Sequence, residues 1–168
     1  NKMKKLRIGL FGFGVVGEGI YKVLEQKPQV GAEILKVVIK DAGKSRNAPS
    51  SLFSTDKNAI LENDEIDVVV ELIDDAEAAY EICTSALKKG KAVVTANKKM
   101  VADRLAELVD LQKEYGGSLL YEAAVCGSIP IIRNLEEYFD NDLLKSVSGI
   151  VNGSTNYILS NMFATGEE

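Results

Sequence analysis

An apolar run from Leu6 to Phe11 breaks straight into Gly12-Phe13-Gly14-Val15-Val16-Gly17, and the residues that follow place Val16, Ile20, Val23 and Leu24 at helical spacing. A buried strand, a turn carrying three glycines and an amphipathic helix must therefore follow one another without a spacer. In this G-x-G-x-x-G spacing Gly12 permits the tight turn out of the strand. Gly14 removes a side chain where a pyrophosphate must approach the backbone, and Gly17 lets the helix pack close to the sheet. The helix then directs its unpaired N–H groups and the positive end of its dipole at the phosphates. A glycine-rich turn with no ligand is the alternative; the position between first strand and first helix favours binding of a dinucleotide.

The same alternation continues along the chain. Further strands are expected at Leu35–Ile39, Val68–Ile73, Ala92–Thr95, Leu119–Tyr121 and Leu144–Val151. Helices are expected at Val15–Glu25, Ala76–Lys89, Met100–Tyr115 and Pro130–Phe139, with a short helical turn at Ile60–Glu65. Pro28 closes the first helix, and Gly90 and Gly116 stop two others. Residues 40–58, "KDAGKSRNAPSSLFSTDKN", read as a loop. Strands that are apolar throughout, rather than on alternate residues, belong to a parallel sheet covered on both faces. Right-handed crossovers make the expected fold α/β, a doubly wound parallel sheet whose ligands bind at the carboxyl ends of the strands.

Composition narrows the chemistry. The 168 residues carry a formal net charge of −5, which argues against nucleic-acid or anionic-membrane partners. No apolar run approaches the roughly 18 residues of a membrane span. The basic start "NKMKKLRIGLFGFG" reads as a first strand and not as a secretory signal. Cys83 and Cys126 lie far apart without histidine companions, so neither a disulfide framework nor a zinc site is indicated, and a cytoplasmic location is expected. The chain has no histidine at all. Proton transfer within this segment would fall to Lys, Tyr or a carboxylate.

Two positions bear on the cofactor. At the end of the second strand an acidic residue would hold the ribose of NAD, and a basic one the extra phosphate of NADP. Lys40 and Asp41 stand there side by side, with Lys44 and Arg46 just after. The expectation tilts to NADP, against a solvated loop of mixed charge. Past the Ala92–Thr95 strand come Asn97, Lys98 and Lys99. Lys98 is placed to face a ligand crevice, where its ammonium could polarise a carbonyl or settle a phosphate; Lys99 reads as exposed helix start.

The segments "GLFGFGVVGEGIYKVL", "VVVELI", "VVTANKKMVA", "YEAAVCGSIPIIRNL" and "VSGIVNGSTNYIL" together resemble homoserine dehydrogenase, in order and across essentially the whole chain. The resemblance implies an NAD(P)-dependent Rossmann enzyme that reversibly reduces L-aspartate 4-semialdehyde to L-homoserine, on the route to threonine and methionine. It implies cofactor contacts from Gly12, Phe13, Gly14, Val15, Val16, Gly17, Lys40 and Lys98. Lys98, Gly153 and Ser154 match substrate-side positions. Glu122, Val125, Gly127 and Ile129 match positions around a monovalent cation, sodium or potassium. Two departures stand out. Asp74-Asp75 replaces the family's usual glycines and would repel phosphates, and Lys40 stands where arginine is frequent, which keeps the charge but not the bidentate geometry.

The final "NYILSNMFATGEE" starts a helix whose apolar face, Ile158, Leu159, Met162 and Phe163, has no later element to pack on. The expectation is a dinucleotide-binding domain over residues 1–128 and the beginning of a catalytic and dimerisation domain over 129–168. In the resembled family the remainder supplies a substrate-binding glutamate, an aspartate and the proton-transfer lysine, and pairs subunits into a homodimer or larger assembly. Cofactor binding with negligible turnover follows for this segment, whose catalytic residues would lie elsewhere. A related semialdehyde or amino-acid dehydrogenase, a non-catalytic NAD(P)-sensing module and a plain interaction domain remain as alternatives.

Overall fold

The computed structural model describes residues 5–28 and 31–121. Six strands form one sheet: β1 (Leu6–Phe11), β2 (Ala32–Val38), β3 (Phe53–Ser54), β4 (Val68–Glu71), β5 (Ala92–Thr95) and β6 (Ser118–Tyr121). Their spatial order is β3-β2-β1-β4-β5-β6, and every pairing is parallel. The chain starts in the middle, winds outward to one edge, returns and winds outward to the other. The order therefore reverses between β1 and β4, which is where a doubly wound sheet opens a crevice.

Four α-helices connect the strands: α1 (Val15–Gln26), α2 (Asn58–Leu61), α3 (Ala76–Lys88) and α4 (Lys98–Tyr115). Phe11, Val69, Val93 and Leu119 point to one face of the sheet, where Ile82, Cys83, Leu87, Met100, Val101 and Leu108 of α3 and α4 cover them. Their neighbours Leu10, Val70, Val94 and Leu120 point to the other face with Ile20 and Leu24 of α1. With both faces covered, the centres of β1, β4, β5 and β6 carry apolar residues at consecutive positions. Each fully buried aliphatic side chain contributes roughly 1.5–3 kcal/mol.

Several boundaries differ from the sequence reading. Residues 40–58 are not all loop: Ser50–Leu52 make a 3-10 turn and Phe53–Ser54 add an edge strand, Val37 and Val38 pairing with them. A two-residue strand is too short to show a period. β2 starts at Ala32 and not Leu35, because Ala32, Glu33 and Ile34 pair with Leu6, Arg7 and Ile8. The turn expected at Ile60–Glu65 is a helix over Asn58–Leu61. α4 begins two residues early because Asn97 caps it, its side chain accepting from the Met100 N–H. β4 stops at Glu71, whose carboxylate turns back onto the Ile73 N–H. The expected elements Pro130–Phe139 and Leu144–Val151 lie outside the described residues, as does Cys126.

Candidate dinucleotide site

The glycine loop has the geometry a phosphate cradle requires. Gly12 holds a φ of +100°, a conformation that side chains rarely adopt, and so turns the chain out of β1. A Cβ on Gly17 would lie 2.6 Å from the Gly12 carbonyl oxygen, so α1 sits against the loop at a distance only hydrogen allows. Gly14 is the opposite case. It caps α1 in extended backbone, and a Cβ there would meet no atom within 4 Å. Protein atoms stand where side chains on Gly12 and Gly17 would go, and the space before Gly14 is open.

Around this loop the carboxyl ends of the central strands enclose a cleft of about 630 Å³, lined by Gly12, Val38, Ile39, Lys40, Thr55, Leu72, Ile73, Asp74 and Asp75. Its floor is apolar and its rim charged. Lys40, just past β2, is exposed on that rim. The Asp75 carboxylate is turned inward to cap α3, accepting the Glu77 N–H at 2.9 Å and the Ala78 N–H at 3.1 Å. These two bonds, helped by the Lys40 charge, hold its pKa below the ordinary 3.8. Of the two carboxylates expected to repel a phosphate, Asp75 is thus engaged by a helix terminus, and Asp74 stays exposed beside it.

Residues 42–50 fold beside this cleft. Phe53 packs edge-on against Phe13 with ring centroids 5.1 Å apart, Phe13 meets Tyr21 at 6.1 Å, and Arg46 lies 5.4 Å over the Phe53 ring. Asn47 donates to the Glu18 carboxylate, which also pairs with Lys22 at 3.0 Å. A second hollow of about 500 Å³ lies here, with Lys44, Ser45, Arg46, Ser50 and Thr55 among its walls. Phe13 is therefore a packing residue of the loop as well as a member of it. Val15 is 92% exposed and Val16 packs on the α1 side of the core.

Lys98 opens α4 at the carboxyl end of β5. Its side chain is half-buried and makes no hydrogen bond or ion pair among the described residues, whereas Lys99 is exposed. Lys98 does not line the 630 Å³ cleft; it starts one strand farther along the same rim. Glu122, Val125, Gly127, Ile129, Gly153 and Ser154 lie outside the described residues.

One rim residue escaped the sequence reading. Glu71, the last residue of β4, is wholly buried and accepts from the Thr95 hydroxyl at 2.6 Å and the Ile73 N–H at 2.5 Å. Burial pushes its carboxyl above the ordinary 4.5, and the two hydrogen bonds pull it part of the way back. The signal was an acidic residue closing an otherwise apolar strand, "DVVVEL".

Residues 12–122 match the family model described as the NAD-binding domain of homoserine dehydrogenase, and residues 130–168 match the model described as homoserine dehydrogenase. The chain belongs to the homoserine dehydrogenase family. It is 41% identical to the homoserine dehydrogenase of Helicobacter pylori and 38% identical to that of Bacillus subtilis, in each case over 95% of this chain and 39% of the relative. The crystal structure of homoserine dehydrogenase from Thiobacillus denitrificans superposes with a TM-score of 0.67 at 35% identity, over 79% of this chain and 32% of that one. The chain thus spans about two fifths of the length of the curated homoserine dehydrogenases it matches.

Proposed function

We propose that this chain is the cofactor-binding part of a homoserine dehydrogenase, and that it holds NADP or NAD across the cleft between β1 and β4. The observation that carries the reading is the open space before Gly14, between a tight Gly12 turn and a helix terminus locked down by Gly17. The backbone N–H groups opening α1 bind the pyrophosphate, and no side chain stands in the way. The apolar floor made by Val38, Ile39 and Leu72 suits an adenosine moiety, and Lys40 suits a phosphate on its ribose. With Lys44 and Arg46 on the neighbouring loop, NADP is the preferred form.

In the complete enzyme the reaction is reversible reduction of L-aspartate 4-semialdehyde to L-homoserine. The bound cofactor supplies the hydride. Lys98 orients and polarises the aldehyde oxygen, its half-buried ammonium, unpaired among the described residues, stabilising the charge that develops there. Gly153 and Ser154 form the substrate-side turn, and Glu122, Val125, Gly127 and Ile129 surround a monovalent cation. The two family matches, 12–122 and 130–168, support a division into cofactor and catalytic parts close to residue 129. The assembled enzyme is a homodimer or larger. Segments beyond this chain carry the proton-transfer residue, so the chain binds cofactor without appreciable turnover.

Titrating NADPH and NADH against the melting temperature of this chain tests the reading. A ligand at about 100 times its Kd adds about 2.7 kcal/mol to the folded state, which should appear as a rise of several degrees. NADPH should act at lower concentration than NADH. No shift with either, to millimolar concentration, overturns the proposal.

A further inference from the structure

We infer that Glu71 is a positioning residue: through a closed ring of hydrogen bonds it fixes the loop that lines the cleft to the turn that launches Lys98. The inference rests on the reading above, that the cleft takes the cofactor.

The ring closes through four contacts. The Ile73 N–H donates to Glu71 Oε2 at 2.5 Å, and the Ile73 carbonyl accepts from Asn97 Nδ2 at 3.0 Å. The Asn97 N–H donates to Thr95 Oγ1 at 3.1 Å, and the Thr95 hydroxyl donates to Glu71 Oε1 at 2.6 Å. Asn97 extends it on both sides. Its Nδ2 also donates to the Asp74 carbonyl at 3.1 Å, and its Oδ1 accepts the Met100 N–H at 3.0 Å, capping the helix that Lys98 opens. Ile73 and Asp74 line the cleft. One connected network therefore sets both the wall of the cleft and the start of α4.

The donor count explains why this side chain is a carboxylate. The Thr95 oxygen already accepts from Asn97, so its own hydrogen must point at residue 71. The Ile73 N–H points there too. Two donors converge on one side chain, and among side chains of this length only a carboxylate accepts at both terminal atoms. Glutamine would turn its amide N–H₂ against one of them and leave that donor buried without a partner. A core with no such task would not keep a charge, because burying one is unfavourable. Cys83 of α3, 4.0 Å from Oε1, and the nearby Asp74 carboxylate are the other titratable groups around it, and neither offsets the charge. Among the described residues its other hydrogen-bonding partners are Ile73, which lines the cleft, and Thr95, which ends β5 beside it.

The test compares NADPH binding by the whole chain and by E71Q, T95V and T95S, each first checked for a cooperative thermal transition. A wall no longer held in place must be ordered by the ligand, which weakens binding. E71Q and T95V should bind NADPH about tenfold more weakly, the equivalent of losing one charge-assisted hydrogen bond. T95S keeps the hydroxyl and should restore affinity whatever its melting temperature, a pattern that loss of stability alone does not produce. A folded E71Q or T95V with undiminished affinity overturns the inference. Should E71Q not fold, the contrast between T95V and T95S decides it. Failure of the unmodified chain to bind NADPH refutes the functional reading itself, and this inference with it.

Discussion

The carbonyl oxygen of Gly12 stands where Gly17 can present nothing larger than a hydrogen: a Cβ on Gly17 would come within 2.6 Å of it. Both partners belong to backbone that cannot rotate aside. G17A should therefore destabilise the fold by about 1–3 kcal/mol, the range for overpacking, and lower the melting temperature in proportion. A transition unchanged within a degree would show that α1 has room to shift.

Gly14 predicts the reverse. A methyl there meets no protein atom within 4 Å, and its φ of −83° is one any residue adopts. G14A should melt with the parent chain and yet bind NADPH and NADH much more weakly, because the methyl occupies the space of the pyrophosphate. Unimpaired binding by G14A would remove the phosphates from this loop.

Lys40 separates the two cofactors. K40A removes a charge beside the cleft that the ribose phosphate of NADP would use and that NAD has no phosphate to engage. NADPH affinity should fall and depend less steeply on salt, while NADH affinity stays put. An equal loss for both would assign Lys40 to the shared diphosphate.

Asp75 and Glu71 respond to acid in opposite directions. The folded-state pKa of Asp75 is depressed, so its stabilisation is present above the ordinary 3.8 and is lost as pH falls through the folded value. Glu71 is raised, so its contribution is full below the ordinary 4.5 and fades as pH rises through the folded value. Between neutrality and pH 4.5 the parent chain should thus gain stability relative to E71Q, and below pH 3.8 it should lose stability relative to D75N. Melting curves of the three proteins across that range check both signs.

Where residue type dictates local geometry, the sequence was readable. Gly12 and Gly17 hold the tight turn and the close helix packing that their spacing implied, and the apolar runs at residues 68–70 and 92–94 read as strands buried on both sides. What was hidden depends on partners distant in the chain. β3 exists because Val37 and Val38 offer an open edge to Phe53 and Ser54, not because those two residues demand extension. Gly9 looked like any small strand residue, yet a Cβ there would press to 2.6 Å from Ile60 Cγ2, so it makes room for α2. Glu71 acquires its importance from Thr95 and Asn97, more than twenty residues away. Asp74-Asp75 suggested repulsion from charge alone; the cap that engages Asp75 appears only once α3 begins at the next residue.

Parallel pairing of Tyr121 with Thr95 has a practical corollary. Every strand runs upward to one pole of the sheet, so position 121 shares the pole that carries the cleft, two strands along from β4, and Gly90, just ahead of β5, sits at the opposite pole. An environment-sensitive dye attached at residue 121 would watch the dinucleotide arrive, and the same dye at residue 90 would serve as its silent reference.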